Sequence, residues 1–209
     1  MILRKEEKIK FHISDYLKIK KLIIDSGGKE IYKKRKILSL YFDNKNLSMY
    51  EDSEEGSLPR YKIRLRNYPN DNKKKWFLEK KITSVEGKFK EITEKDVAYK
   101  ENLKHNGIYD SLYGNCYPQV WVSYYRQYFL IKNERITIDQ KIEYQSYKGE
   151  KYYKDNESLI IELKSSKIDF KELFNNHDLL PLYKVRFSKY CNAMNNLINK
   201  NEYQRQINT

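Results

Sequence analysis

An alternation of charged and apolar residues with a period of two recurs along this chain, and it restricts the fold more than any other feature. From Arg60 to Arg66 the even positions hold Arg or Lys, and the odd ones hold Tyr, Ile and Leu. Similar alternation returns over 77–82, 135–141 and 159–165. Successive side chains of a β-strand point to opposite faces of the sheet. The pattern therefore predicts antiparallel strands with one charged face and one apolar face.

Three other segments carry apolar residues at helical spacing. One runs over 15–25, where Ser14 can cap it, and one covers 189–199. Between them, Thr93 and Asp96 resemble a capping box for a helix that ends near His105. These helices can cover the apolar sheet faces, so we expect an α+β fold. We expect a single domain over residues 1–200 and a polar, frayed tail over 201–209.

The charged faces carry many more positive than negative side chains. The chain has 42 Lys and Arg against 29 Asp and Glu, a formal charge of +13, which predicts an anionic partner. A solvated strand face normally mixes signs because like charges across strands repel. For any single strand, the alternative interpretation is an ordinary solvent-exposed polar face. The alternating faces place three carboxylates, Glu6, Glu79 and Glu162, among ten cations: Lys8, Lys10, Lys62, Arg64, Arg66, Lys81, Lys88, Lys90, Arg126 and Lys164.

These faces suit the interior of a closed barrel. Charged side chains would line the lumen, and the amphipathic helices would pack on the apolar outside. Crowded cations in such a lumen would repel one another strongly without a polyanion. The expected fold is thus a closed antiparallel β-barrel of about eight strands with a charged lumen. Such a lumen favours a phosphate chain together with a divalent metal.

Seven short motifs then resemble, in order, the VTC domain, the polyphosphate polymerase branch of the CYTH or triphosphate-tunnel superfamily. The resemblance runs from about Arg4 to Ala193 and depends on the joint order of motifs that are each short. The motifs are Ser39-Leu40-Tyr41-Phe42-Asp43, Arg60 to Tyr68, Leu78-Glu79-Lys80-Lys81 followed by Gly87 to Lys90, Ser123-Tyr124-Tyr125-Arg126, Arg135 to Asp139, Ile161-Glu162-Leu163-Lys164, and Arg186-Phe187-Ser188-Lys189-Tyr190.

The resemblance implies roles for individual residues. It implies a catalytic cradle for the transferred phosphoryl group made of Arg64, Arg66, Lys81, Arg126, Lys164 and Lys189. It implies binding of ATP and phosphate by Lys10, Lys62, Lys88, Lys90, Tyr124, Arg186 and Ser188. Glu162 would ligate Mn²⁺ or Mg²⁺, because hard cations prefer carboxylate and phosphate oxygens. Glu79 would be a second metal ligand or an orienting group.

One position departs from the family pattern. The first strand reads Glu6-x-Lys8-x-Lys10, where the resemblance implies a central carboxylate in place of Lys8. Either Glu7 points inward instead, or the metal is held more by Glu162 and by phosphate oxygens. The departure bears on catalysis more than on the fold.

The function that this resemblance implies is transfer of the γ-phosphoryl group of ATP to a growing polyphosphate chain. The enzyme would position the reacting groups and stabilise negative charge on them. It would need no general base, since the attacking phosphate oxygen is already ionised. Two alternatives stay open. One is an inorganic triphosphatase or polyphosphatase of the same fold; the other is a non-catalytic polyphosphate-binding or regulatory module, which Lys8 favours.

Other partners and the location are less constrained. No zinc-finger spacing, P-loop or RNA-binding motif occurs, so we expect no specific nucleic acid partner despite 20 tyrosines. Residues 1–10 are mostly charged and show no signal peptide, and apolar runs are short, so we expect a cytoplasmic protein. The resemblance also implies a membrane-protein partner, with the chain peripheral at the inner face of a membrane.

Overall fold

The computed structural model describes residues 5–71, 75–165, 169–174 and 183–197. Strands in these ranges are β1 Lys5–His12, β2 Lys29–Asp43, β3 Arg60–Asn67, β4 Trp76–Ser84, β5 Gly87–Lys95, β6 Ile108–Asp110, β7 Gly114–Ile131, β8 Glu134–Ser146, β9 Tyr152–Asp155 and β10 Ser158–Ser165. Helices are α1 Tyr16–Asp25, α2 Ser48–Glu55, α3 Val97–Asn106 and α4 Phe170–Leu173, and residues 189–197 are also helical. The predicted tail over 201–209 lies outside the described residues.

The strands form a mostly antiparallel sheet, as the alternation predicts. Their hydrogen-bonded order is β1-β10-β8-β7-β2-β3-β4-β5, and β6 and β9 pair with β7 and β8 respectively. Pairing of β1 with β10, β10 with β8, β2 with β3, β3 with β4 and β4 with β5 is antiparallel throughout. The β-rich part of the predicted α+β fold is confirmed.

The predicted closure of the sheet into a barrel is wrong. Within the described residues the order ends at β1 on one side and β5 on the other, with no pairing between them. The free edge of β1 is occupied instead. Ile9 bridges Lys184, and Val185 N–H donates to the Lys8 carbonyl at 2.8 Å. One carbonyl that a closing strand would need, that of Lys8, is thereby satisfied.

The chain divides into two compact units. The first unit comprises Met1–Lys36, Tyr124–Ile142 and Lys154–Phe187, and the second comprises Ile37–Ser123, Glu143–Tyr153 and Ser188–Thr209. The single domain predicted over 1–200 stays a prediction.

The core of the first unit explains why α1 forms where it does. Ile19 and Ile23 lie one helical turn apart and are fully buried against the apolar faces of β1, β10, β8 and β7. Phe170 and Phe174 of the α4 region close the same core. Burial of one such side chain contributes about 1.5–3 kcal/mol. The apolar sheet face of this unit is therefore covered by α1 and α4, although α4 was not predicted.

Helix ends in the second unit differ in part from the sequence prediction. Asp96 caps α3 by accepting a hydrogen bond from Tyr99 N–H at 2.7 Å. Thr93 instead lies within β5, so the predicted capping box is wrong while the helix is confirmed. The helix over 189–197 is also confirmed, whereas α2 was not predicted. None of the helices in the described ranges is long and apolar enough to cross a bilayer.

Candidate functional site

Pairing of β3 with β4, and of β4 with β5, places a group of charged side chains on one face of the second unit. Arg64 lies opposite Glu79, Lys62 opposite Lys81, and Lys81 opposite Lys90. Directly opposite residues of an antiparallel pair share a face. We call this group the β3–β4 face and define it by Lys62, Arg64, Arg66, Glu79, Lys81, Lys88 and Lys90.

Glu79 is the centre of the β3–β4 face. Its Oε2 accepts from Arg64 Nε at 2.6 Å and lies 3.6 Å from Nη1 of Arg66. Its Oε1 accepts from Lys90 Nζ at 2.8 Å. Burial raises the pKa of the Glu79 carboxyl, but the three cations outweigh burial and lower that pKa to about 2. Both oxygens of Glu79 are therefore engaged by fixed cations.

Strand β2 supplies two hydroxyl groups that also hold the arginines. Arg64 Nη1 donates to the Tyr41 hydroxyl at 2.9 Å, and Arg66 Nε donates to Ser39 Oγ at 3.3 Å. The register explains both contacts, because Tyr41 lies opposite Arg64 and Ser39 opposite Arg66. Burial raises the pKa of Tyr41, but neighbouring Arg64, Arg66 and Lys189 lower it overall.

Lysines extend the β3–β4 face beyond Glu79. The pKa of Lys62 is lowered by burial first, and Lys81 and Arg60 add to this by repulsion. The pKa of Lys90 is lowered by burial and by Arg64 and Arg66, against the opposing effect of Glu79. Lys88 lies on the same face and is exposed. Crowded cations of this kind favour a bound anion.

A second charged group lies on β1, β7, β8 and β10 of the first unit. Arg126 binds Asp139 with two hydrogen bonds, Nε to Oδ1 at 2.5 Å and Nη2 to Oδ2 at 2.7 Å. Its guanidinium also lies over the Tyr124 ring, 5.3 Å from the centroid. Asp139 is completely buried. We call this group the β7–β10 face and define it by Glu6, Lys8, Tyr124, Arg126, Asp139, Glu162 and Lys164.

Glu162 is a strongly perturbed carboxylate of the β7–β10 face. Its Oε1 lies 3.0 Å from Lys164 Nζ, and its Oε2 lies 3.9 Å from Arg126 Nη2. Burial raises the pKa of Glu162, but Arg126, Lys164 and Lys8 lower it well below the usual range. Its Oε1 is buried and accepts no hydrogen bond among the described residues. That oxygen already forms an ion pair with Lys164, so a further cation would share it with that lysine.

Lys8 lies beside the carboxylates of this face. It pairs with Glu162 across the strands, its Nζ lies 3.7 Å from Glu6 Oε1, and it donates to the Phe187 carbonyl at 2.8 Å. Glu7 points the other way, where its carboxylate accepts from Lys184 at 2.6 Å. The alternative in which Glu7 replaces the missing carboxylate is thus not observed.

The remaining predicted residues lie at the margins of these groups. Lys10 and Arg186 are exposed. Ser188 caps the helix over 189–197, since its Oγ accepts from Cys191 N–H at 3.4 Å. Lys189 is half-buried and close enough to Tyr41 to lower its pKa. The structure thus brings Arg64, Arg66 and Lys90 to Glu79, and Arg126 and Lys164 to Glu162, and leaves these four residues outside both groups.

Three residues that position the arginines of the two faces were missed as site residues. Ser39, Tyr41 and Asp139 hold the arginines, yet the sequence analysis assigned them no role. The sequence pattern could have indicated each of these three residues. Ser39 and Tyr41 are two residues apart on a strand, and Asp139 lies on the charged side of the 135–141 alternation.

Both predicted metal ligands already contact cations of this chain. Glu162 Oε1 lies 3.0 Å from Lys164 Nζ, and Glu6 is a hydrogen-bonding neighbour of Glu162. Both oxygens of Glu79 are engaged by Arg64, Arg66 and Lys90. No group of three or more metal-ligating side chains occurs among the residues described. Metal roles for Glu162 and Glu79 stay predictions, and the contacts of Glu79 favour the orienting one.

Comparison with known proteins decides the family. The family model of the VTC domain matches residues 3–198. The chain belongs to the VTC domain family. The resemblance read from the seven motifs is thereby confirmed, and both charged faces belong to a VTC domain. No curated protein sequence matches the chain.

Solved structures similar to this VTC domain have low sequence identity to it, and the first of those below shares its fold. One, from Bacillus halodurans and named as a candidate adenylate cyclase, is 12% identical, with a TM-score of 0.59 over 89% of this chain and 94% of that one. Another candidate adenylate cyclase, from Vibrio parahaemolyticus, is 10% identical, with a TM-score of 0.49 over 83% and 82%. A candidate adenylyl cyclase from Hippeastrum, described as having a dominant triphosphatase activity, is 14% identical, with a TM-score of 0.42 over 87% of this chain and 100% of that one.

Proposed function

We propose that this VTC domain is a polyphosphate polymerase that transfers the γ-phosphoryl group of ATP to the end of a polyphosphate chain. The observation that carries the proposal is the pair of arginines Arg64 and Arg66, both held by the buried carboxylate of Glu79. Arginines fixed in this way need little reorganisation when negative charge develops on a transferring phosphoryl group. Membership in the VTC family supports the same reaction class.

In the proposed reaction, a terminal oxygen of the polyphosphate chain attacks the γ-phosphorus of ATP. A new P–O bond forms, the bond between the γ-phosphorus and the bridging oxygen breaks, and ADP leaves with that electron pair. The attacking oxygen is already ionised at neutral pH, so the reaction requires no general base. Arg64, Arg66 and Lys81 would stabilise charge on the transferring group, with Lys189 contributing from the helix end.

The other predicted residues would hold phosphate groups without taking part in bond cleavage. On the β7–β10 face, Arg126 and Lys164 would bind phosphate oxygens, with Tyr124 under the guanidinium of Arg126. The further predicted phosphate ligands are Lys10, Lys62, Lys88, Lys90, Arg186 and Ser188. Half-buried or exposed side chains in this set can reach an extended, flexible polyanion.

Glu162, with Glu6 beside it, would hold Mn²⁺ or Mg²⁺ together with phosphate oxygens. A bound cation of this kind would supply additional neutralisation of phosphate charge. Glu79 would keep Arg64 and Arg66 in place. We therefore propose that Glu162 accounts for metal dependence and Glu79 for arginine geometry.

A non-catalytic polyphosphate-binding module is the second candidate, and Lys8 is the observation that favours it. Its ammonium lies next to Glu6 and pairs across the strands with Glu162. A fixed cation in this position adds to phosphate binding and opposes binding of a divalent cation nearby. Binding without turnover would then be the function.

The experiment that separates these functions is an incubation of purified protein with ATP and Mn²⁺, followed by gel analysis for polyphosphate. A ladder of chains is expected for a polymerase. Free phosphate without a ladder would indicate a triphosphatase instead. If the ATP stays intact and the protein still binds polyphosphate, the protein is a non-catalytic binding module.

Arg66→Ala is the variant that links activity to the β3–β4 face. We expect loss of the ladder by a factor of roughly 100 or more, because one fixed charge donor is removed from the transferring group. Arg60→Ala is the matched control. Arg60 lies on the same strand but donates to the carbonyls of Gly56 and Ser57 at 3.0 Å, outside the Glu79 cluster. Equal turnover in both variants would contradict the assignment.

A further inference from the structure

A continuous row of arginine and tyrosine side chains extends from the β7–β10 face to the exposed first half of β2. The guanidinium of Arg126 lies over the rings of Tyr124 and Tyr128, 5.3 and 5.9 Å from their centroids. The guanidinium of Arg35 lies over Tyr128 as well, at 4.9 Å, and over Tyr32, at 5.5 Å. We call this the Arg–Tyr row and define it by these five residues, which all belong to the first unit.

The outer end of the Arg–Tyr row is held by contacts among its own side chains. Arg35 Nη2 donates to the Tyr128 hydroxyl at 3.3 Å. Tyr32 meets Tyr128 edge to face, with 5.6 Å between the ring centroids and 84° between the ring planes. Tyr128 is buried and Arg35 is half-buried, yet Tyr32 is 57% exposed. The row therefore ends in an aromatic ring that is positioned by its neighbours and open to solvent.

The surroundings of this ring indicate the kind of ligand it can take. An open hollow beside the ring is lined by Glu30, Ile31, Tyr32, Lys33 and Lys34. Nucleobases stack on exposed aromatic rings, and a neighbouring guanidinium attracts their π faces. A phosphate group alone would use Arg35 and leave the Tyr32 ring in water. A planar base attached to phosphates uses both side chains.

We propose that Tyr32 and Arg35 form the site for the base of ATP, with the phosphates next to the base bound at Arg126. This inference rests on the proposed function, which places phosphate oxygens on Arg126. Only Tyr128 separates the two arginines in the row, so one nucleotide can reach both. Tyr124 and Tyr128 are buried, which leaves Tyr32 as the exposed ring of the row. One exposed ring suits a single base better than the successive bases of a nucleic acid strand.

The test compares ATP with tripolyphosphate, which has the phosphate chain but no base. Isothermal titration calorimetry of the purified full chain, in metal-free buffer at low salt, gives both Kd values. Tyr32→Ala should weaken ATP binding by roughly tenfold, because one stacking contact is lost. It should change the Kd of tripolyphosphate by less than about twofold. Tyr32→Phe keeps the ring and should bind both ligands as the wild type does.

Two further variants control for exposure and for charge. Tyr152→Ala is the matched control, because Tyr152 is 56% exposed but lies on β9, in the second unit and outside the row. It should leave both Kd values unchanged. Arg35→Lys keeps the charge but loses the planar group, so it should weaken ATP binding by roughly threefold. Far-UV circular dichroism checks the fold of each variant.

Three results would overturn this site for the base. Unchanged ATP affinity in Tyr32→Ala would show that the ring does not contact the base, and absence of ATP binding by the wild type would have the same consequence. Equal losses for ATP and tripolyphosphate would mean that Tyr32 supports phosphate binding instead. Binding of an oligodeoxyadenylate that is tighter than that of ATP, and that Tyr32→Ala weakens, would assign the ring to single-stranded nucleic acid.

These results are independent of the gel analysis that tests the polymerase reaction. A polyphosphate ladder, together with an unchanged Kd for ATP in Tyr32→Ala, would contradict the site for the base alone. ATP binding that depends on Tyr32, in a protein that forms no ladder, would contradict the polymerase reaction alone.

Discussion

Arg64 shows how a single side chain of this protein is prepared for an anion. Two neighbours on different strands hold its guanidinium, the carboxylate of Glu79 and the hydroxyl of Tyr41. Hydrogen bonds with an ionised partner are stronger and shorter than those between neutral groups. The side chain therefore loses rotational freedom on folding rather than on ligand binding, which favours affinity and precise placement.

The ionised form of Glu79 should stabilise the folded chain in a defined pH window. Its pKa is lowered from 4.5 to about 2, so its contribution is present above 4.5 and is lost as the pH falls towards 2. We expect Glu79→Gln to reduce the free energy of unfolding at neutral pH by roughly 3 kcal/mol. Urea unfolding at several pH values measures this difference. The difference in the free energy of unfolding between the wild type and Glu79→Gln should decrease as the pH falls from 4.5 to 2.

Glu94→Gln is the control for that measurement. Glu94 also pairs with a lysine, Lys75, at 2.5 Å, but its side chain is 51% exposed. Exposed pairs contribute little to stability because water and salt screen them. A loss in Glu94→Gln as large as that in Glu79→Gln would contradict the explanation from the buried cluster.

Removing the Tyr41 hydroxyl should affect phosphate transfer more than stability. In Tyr41→Phe the ring can still stack on Tyr190, at 5.2 Å between centroids, while Arg64 loses an acceptor. We expect kcat/KM for ATP to fall roughly tenfold, since a displaced arginine aligns poorly with the phosphoryl group. The free energy of unfolding should change by only about 1 kcal/mol. Tyr109→Phe, at a side chain 74% exposed, should change neither quantity.

At the scale of elements, Asp43 at the end of β2 connects three parts of the second unit. Its Oδ1 accepts from Met49 N–H at 3.0 Å, and its Oδ2 accepts from Tyr50 N–H at 2.9 Å, both at the start of α2. Oδ2 also accepts from the Tyr190 hydroxyl at 2.6 Å, which anchors the helix over 189–197. One buried carboxylate thereby supports the end of β2, the first turn of α2 and the helix that carries Lys189.

Two variants measure this connection. Tyr190→Phe removes one hydrogen bond and should lower the free energy of unfolding by about 1 kcal/mol. Asp43→Ala leaves several buried donors unsatisfied and should cost clearly more, about 3 kcal/mol or above. Chemical denaturation followed by tryptophan fluorescence provides both values. Equal costs in the two variants would show that the contacts with α2 contribute little.

For the whole molecule, the surplus of positive charge makes folding stability depend on anions. The chain carries a formal charge of +13, and cations such as Lys62 and Lys81 crowd the β3–β4 face. Self-repulsion of this kind opposes the compact state until an anion neutralises it. A polyvalent phosphate binds several of these cations at once, which a monovalent or divalent anion does less well.

Tripolyphosphate should therefore raise the melting temperature of the protein. At a concentration 100 times its Kd, mass action stabilises the folded state by about 2.7 kcal/mol. Differential scanning fluorimetry measures the shift, with sulfate at equal ionic strength as the control. Arg66→Ala should show a smaller shift than the wild type. An equal shift with sulfate would mean that general screening, rather than a phosphate site, stabilises the chain.

Much of the fold could be predicted because strands with two unlike faces leave a regular trace. The alternation over 60–66 and 159–165 corresponds to β3 and β10, and the helical spacing over 15–25 corresponds to α1. Local sequence patterns predicted the ends of helices and strands, and the short elements, less reliably. The α2 helix follows Leu47 in a left-handed conformation and depends on Asp43, a contact that no local pattern indicates.

The sequence by itself determined the two-faced strands, the surplus of cations on the charged faces and the membership of the VTC family. Which carboxylate neutralises which arginine was decided only by the tertiary structure. A period of two assigns a side chain to a face, but its neighbours depend on strand register, and register places Glu79 beside Arg64 and Tyr41 opposite it. Whether the sheet closes was also decided by tertiary structure, because residues 184 and 185 compete for the edge of β1 from a distant part of the chain.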